Sequence, residues 1–180
     1  DKNASTEDWL RYMKTGMLGL DDGEIAAAES YCYKWNIDGK LWSEPFVYDD
    51  VKYGAEQVRQ RVTEPIFRLR STCENADGKT VCGALLTLFE DVGLFENLCG
   101  MYDNCTTEDA AALAAVREVK QLWELLCGLL ETLNKVLADT KISLADFAEL
   151  FSNAVSKLKL SSPPQTLDCV QFMSAHTARL

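Results

Sequence analysis

Histidine is almost missing from this chain. His176 is the one histidine in 180 residues, there are four prolines, and no two cysteines stand in Cys-x-x-Cys spacing. Zinc and dithiol sites draw on such residues at close spacing, so neither is expected. Also missing are the Gly-x-x-x-x-Gly-Lys-Ser/Thr loop that cradles nucleotide phosphates, the Gly-x-Ser-x-Gly elbow and the His-Glu-x-x-His pair. An intrinsic active site, a metal and a cofactor are therefore not expected of this segment. No apolar run is long enough to cross a bilayer and no signal-peptide core is present, so no membrane contact is expected. Basic residues are scarce: 18 Lys and Arg against 28 Asp and Glu give a net charge of −10. Such a surface repels a phosphate backbone on average, and nucleic-acid contact needs a local basic face. The chain opens on Asp1 rather than Met, which suggests a piece trimmed from a longer polypeptide.

What is present is helical periodicity. Hydrophobic residues make up 47% and charged residues 26%, ordinary for a globular chain long enough to bury a core. Ser5-Thr6-Glu7-Asp8 reads as a helix start, followed by Trp9, Tyr12, Met13 and Met17 at helical spacing; Gly16 and Gly19 end that helix. Asp21 to Glu24 resembles a capping box before a second helix carrying Ile25, Ala28, Cys32 and Trp35. Asn36-Ile37-Asp38-Gly39 breaks it, and an aromatic loop with Trp42, Pro45, Phe46 and Tyr48 follows. After the turn Asn75-Ala76-Asp77-Gly78 come two short apolar helices. The longest helix starts at Thr106-Thr107-Glu108-Asp109 and runs to about Leu137. Its seam is Val119, Leu122, Leu126, Leu129, Leu133 and Val136, with a second stripe including Trp123 and Leu130 beside it. Two apolar stripes imply burial against several neighbours, and Gly128 between them suggests a close helix crossing. Ser143-Leu144-Ala145-Asp146 caps a last helix with Phe147, Leu150, Phe151, Ala154 and Leu158 on its stripe. Ser161-Ser162-Pro163-Pro164 ends helical structure. The expected fold class is all-α: a multi-helix bundle around one long central helix, with a short boundary strand at the C-terminus.

The seven cysteines, Cys32, Cys73, Cys82, Cys99, Cys105, Cys127 and Cys169, are odd in number, and several lie on apolar faces. They read as reduced, buried thiols of a cytosolic protein. Residues 50–70 hold the one basic patch, with Lys52, Arg59, Arg61, Arg68 and Arg70 against Asp50, Glu56 and Glu64. Those five cations are the candidate DNA-binding residues; the alternative is the solvated face of an amphipathic helix. Pro65 is expected to kink or split the helix. Residues 90–131 are strongly acidic, a poor surface for DNA and a fit for a basic protein partner; the alternative is a simply solvated surface.

Two stretches carry a specific resemblance. Leu10-Arg11-Tyr12-Met13-Lys14-Thr15-Gly16-Met17-Leu18-Gly19-Leu20 is similar to the R-Y-L-K-T-G-L element of the B subunit of bacterial ATP-dependent helicase/deoxyribonucleases, the AddB family. Glu29-Ser30-Tyr31-Cys32 and Trp35-Asn36-Ile37-Asp38-Gly39-Lys40-Leu41-Trp42 resemble that family's E-N-Y-C and G-I-R-G-K-x-W patterns, with Ser30 for Asn and Asp38 for Arg. The resemblance returns at Ile142-Ser143-Leu144-Ala145-Asp146-Phe147 and at Pro163-Pro164-Gln165-Thr166-Leu167-Asp168. In the tail, Val170, Phe172 and Ser174 alternate with Gln171, Met173 and Ala175 as in a strand. The run from Val170 to Arg179 looks like superfamily 1 helicase motif V. Ser174, His176 and Arg179 then fall at its Thr, His and Lys positions, while the chain ends before its glycine; the alternative is a boundary strand whose polar end is simply solvated.

The resemblance implies a helical subdomain (residues 1–165) inserted in the second motor domain of such a protein, with residues 166–180 starting the returning strand. It implies a non-catalytic segment of a helicase–nuclease that processes double-strand breaks for recombination repair. Scaffolding is its expected role, with DNA guidance beside it. The expected partners are the A subunit, the rest of the same chain and, through the whole complex, double-stranded DNA ends. The expected location is the bacterial cytoplasm. The family's iron–sulfur cysteines lie in its nuclease region, so none of the seven here is assigned to a cluster. Two rivals stand beside this reading: the inserted subdomain of an active superfamily 1 helicase, and an independent helical adaptor that binds proteins.

Overall fold

The computed structural model describes residues 4–48, 54–101 and 110–158, and of residues 110–114 the backbone alone. Among these it contains seven α-helices: α1 (Thr6–Met13), α2 (Asp22–Trp35), α3 (Ala55–Thr72), α4 (Gly78–Asp91), α5 (Leu94–Gly100), α6 (Ala110–Leu137) and α7 (Leu144–Val155). A 3-10 turn, Gly39–Ser43, lies between α2 and α3. The all-α class holds. The proposed tail strand, with Ser174, His176 and Arg179, lies outside the described residues, as do Lys52, the Thr106–Asp109 cap residues and Pro163-Pro164.

Local chemistry sets the helix starts. Ser5 and Asp21 each accept a hydrogen bond from a backbone N–H three residues on, and Asp8 and Glu24 return the bond to the cap backbone. Both are reciprocal capping boxes, satisfying two donors that a helix start otherwise leaves orphaned. Asp77 and Ser143 cap α4 and α7 through Thr80 and Asp146 N–H groups. Hydrogen bonds accepted from Ser5 and from Thr80 hold the Asp8 and Asp77 carboxyls, respectively, below their ordinary range. Asn36 ends α2 in the left-handed region, one of the few places a non-glycine residue goes willingly.

Two hydrophobic cores result. The first gathers Trp9, Leu10 and Met13 of α1 with Ala28, Tyr31 and Cys32 of α2. Trp42, Phe46 and the Ala55–Val58–Val62 face of α3 complete it. The second gathers Cys73, Val81, Cys82, Leu130, Leu133 and Phe147. α3 serves both, because Ile66 and Phe67 pack on the first core and Leu69 on the second. The longest helix, α6, packs on α4 with α5 and α7 beside it. It contributes to the second core and not to the first, so α3 joins the two halves where a single long spine had been expected.

Four further expectations change. α3 runs through Pro65 without a break, so the proline does not split it. α6 buries Val119, Leu130 and Leu133, while Val136 of the expected seam is 70% exposed. At about 100° per residue, Val119, Trp123, Leu130 and Leu133 form one stripe and Val136 falls well off it. A β-carbon at Gly128 would meet nothing within 4 Å, so no described helix crosses there. Met17 lies beyond α1 and is 41% exposed.

Candidate functional site

The cations of α3 divide by angle. With about 100° per residue, Arg59 and Arg70 project to one side and Arg61 and Arg68 to nearly the opposite side. They do not form one basic face.

Arg59 lies at the edge of the Ala55–Val62–Ile66 stripe and is buried, 6% exposed. Its Nε and one terminal nitrogen donate to the two oxygens of Glu56, each at 2.7 Å. The other terminal nitrogen donates to the Trp42 carbonyl at 3.1 Å and to Thr63 Oγ1 at 3.4 Å. Glu56 also accepts from the Phe46 N–H and from Gln60 Nε2, each at 2.8 Å. The hydrogen bonds from Arg59, above all, hold the Glu56 carboxyl below the usual range, against the opposing effect of burial. A fork-to-fork pair with further hydrogen bonds on both partners is the arrangement that makes a buried ion pair tolerable. It clamps the 42–46 loop to α3. Arg59 is thereby a structural residue rather than a DNA contact: a buried guanidinium held by four hydrogen bonds reaches no phosphate.

Arg61 and Arg68 are exposed. Arg61 pairs with Glu24 at 2.9 Å and donates to the carbonyls of Leu18 and Gly19 at 3.2 and 3.3 Å. It thus ties α3 to the turn that links α1 and α2. Arg68 pairs with Asp91 at 2.6 Å, linking α3 to the end of α4. Arg70 is half-buried beside a groove of about 1010 Å³ between the end of α3 and the start of α7. Phe67, Ala76, Ile142 and Leu144 line the groove, with Glu74 and Lys141 at its rim.

Five cysteines fall among the described residues, and all are free thiols. Cys32, Cys73 and Cys82 are buried, while Cys99 and Cys127 are half-buried. Burial pushes the Cys73 and Cys82 thiols up, as it does Cys127, where Glu131 adds to the effect. A raised thiol pKa means little thiolate and low reactivity. Cys105 and Cys169 lie outside the described residues. Among the described residues no group of three or more His, Cys, Asp or Glu is placed to hold a metal, and no helix is long and apolar enough to cross a membrane.

Sequence spacing carried a signal for Arg59 that the charge count hid. Glu56 and Arg59 are one turn apart, and Arg59 sits next to Ala55 and Ile66 on the helix wheel. The acceptors supplied by the 42–46 loop follow from tertiary packing and had no such signal.

No family model matches the chain. It is similar over nearly its whole length to curated proteins named as the B subunit of ATP-dependent helicase/deoxyribonuclease. With that of Clostridium novyi it is 26% identical over 183 aligned residues, covering 99% of this chain and 16% of the relative. For Clostridium botulinum (strain Hall) the identity is 26% over 190 residues, with 96% and 16% covered. For Caldanaerobacter subterraneus it is 26% over 200 residues, with 99% and 17% covered. The chain thus spans about 16% of the length of such relatives, consistent with an internal segment.

Proposed function

We propose that this chain is a non-catalytic helical block of a helicase–nuclease B subunit that acts in double-strand break processing and recombination repair. The observation that carries the reading is the coverage: nearly the whole chain aligns, with about one sixth of each relative. Residues 1–165 are read as a block inserted in a motor domain, and residues 166–180 as the strand that returns to it. Ser174, His176 and Arg179 are remnants of a motif V whose motor function lies with the parent. The parent is one component of an ATP-dependent helicase/deoxyribonuclease in the bacterial cytoplasm, working with an A subunit on double-stranded DNA ends.

The role of the block is passive. α3 and its ion pairs make it rigid, and a rigid block holds neighbouring domains in register. DNA guidance falls to Arg61 and Arg68 on the exposed side of α3, with Lys52 and Arg70 as further cations and Arg59 excluded. Because Arg61 and Arg68 already have carboxylate partners, each must exchange one ion pair for another, and the contact is weak. The scaffold role is tested in the full-length parent by replacing the stretch with a short Gly/Ser linker. Co-purification with the A subunit should be lost; an intact, active complex would contradict the reading.

A further inference from the structure

The turn between α1 and α2 carries two left-handed glycines, Gly16 at φ +76° and Gly19 at φ +58°. Both lie against α5. A β-carbon at Gly16 would run into the Met101 methyl, and one at Gly19 would meet Asn97 Oδ1 at 2.5 Å. Asn97 and Met101 stand four residues apart, on one side of α5 and its cap. The Asn97 amide spends both of its hydrogens here, donating to the Met17 carbonyl at 3.0 Å and to the Val92 carbonyl at 2.8 Å. Met17 and Asn97 are 80 residues apart in sequence. Arg61 takes the next two carbonyls of the turn, those of Leu18 and Gly19. Leu18 and Leu20 tie the turn to the first core, whereas α5 packs on α4 and α6. The seam between the two halves is thus bridged by a seven-residue helix whose one buried residue is Leu94. Met17, Gly19 and Met101 at this joint are all exposed.

We infer that α5 is a strap across the seam between the two cores, held to the Gly16–Gly19 turn by Asn97, and that strap and turn release together ahead of either core. Segments with few buried apolar contacts open locally, at a fraction of the free energy of global unfolding. α5 fits that description, while α2 and α4 each bury three residues. The two bonds from one amide make the opening a single event. If α5 leaves, the Met17 carbonyl loses its donor; if the turn moves, Asn97 loses its acceptor. α3 still joins the halves when the strap is off, because it packs on both cores. The block is therefore rigid while the strap is seated and hinged at α3 when it is not. The device belongs to the chain's own fold, whether or not the chain touches DNA.

Native-state hydrogen exchange of the full 180-residue chain, read by mass spectrometry in rising sub-denaturing urea, tests the strap. Residues 16–20 and 94–101 should share one level of protection and one urea dependence, below those of the central amides of α2 and α4. Asn97→Asp keeps the shape but turns an acceptor toward both carbonyls. It should speed exchange in both segments by roughly 10–100-fold and leave α2 and α4 unchanged. Gly19→Ala acts from the other side, placing a methyl against Asn97 Oδ1, and should speed exchange at residues 94–101 as well. Faster exchange at residues 94–101 alone in Asn97→Asp would overturn the inference, since the joint would then couple nothing. So would unaltered exchange there in Gly19→Ala, or a strap and turn that open only when the cores do.

Discussion

Replacing Arg59 with alanine removes four hydrogen bonds at once and leaves Glu56, whose side chain is 27% exposed, facing the 42–46 loop without its cation. The Trp42 carbonyl loses a donor in the same step. Breaking a buried pair by deleting one partner costs about 3–5 kcal/mol, more than the net worth of the pair, because a charge is left behind. With a urea m-value of about 2 kcal/mol/M, the unfolding midpoint should fall by roughly 1.5–2.5 M, read by circular dichroism at 222 nm. Arg61→Ala is the control: that side chain is 51% exposed, and an exposed pair is worth about 0.2–1 kcal/mol. The pH dependence has a definite sign. The Glu56 carboxyl is held below its ordinary value of 4.5, so its contribution is complete above that value and is lost as pH falls through the lower folded one. The gap between wild type and Arg59→Ala should therefore narrow in acid. Equal midpoint shifts for the Arg59 and Arg61 variants, or a gap that widens in acid, would refute the clamp.

The glycines separate by space. A β-carbon on Gly78 would run into the Leu137 side chain and meet its carbonyl oxygen at 2.5 Å, so Gly78→Ala should cost about 1–3 kcal/mol in thermal or urea unfolding. At Gly83 and Gly128 it would meet nothing within 4 Å, and alanine there should stabilise by roughly 0.8–1.0 kcal/mol each. The tryptophans separate by hydrogen bonding. Trp42 is 1% exposed and donates to Thr6 Oγ1 at 2.8 Å, whereas the Trp35 indole N–H is buried without an acceptor among the described residues. Trp42→Phe should destabilise by about 2–4 kcal/mol, and Trp35→Phe by less than about 1, because it also removes an unmet donor. Duplex DNA should bind weakly and lose affinity steeply with salt, and Arg61→Glu with Arg68→Glu should weaken it further in fluorescence anisotropy. Binding that ignores both salt and those changes would remove α3 from the DNA path.

The helices were legible because their signals are local. Ser5, Asp21 and Ser143 stand where capping requires them, and the stripes of α1, α2 and α7 repeat at helical spacing. Phe147, the first residue of its expected stripe, is 2% exposed. The arrangement of the helices was less legible. α6 carries two apolar stripes, and periodicity alone does not say which one meets α4; the fold buries Leu130 and leaves Val136 in solvent. Counting charges over residues 50–70 placed Arg59 with Arg61, although the helix turns them to opposite sides. Pro65 marks a kink or break by sequence, but the missing N–H does not stop a helix packed between two cores. The family resemblance at residues 10–42 came from motif residues now seen packed together. Leu10, Met13, Cys32 and Trp42 share the first core, and Lys14 pairs with Glu29 at 3.0 Å.

Purified chain, incubated with ATP, magnesium and both single- and double-stranded DNA, tests the central claim most directly. A non-catalytic block predicts phosphate release and DNA cleavage no faster than in buffer, in protein whose cooperative unfolding shows it to be folded. Turnover that co-purifies with the chain and is lost on unfolding would contradict it.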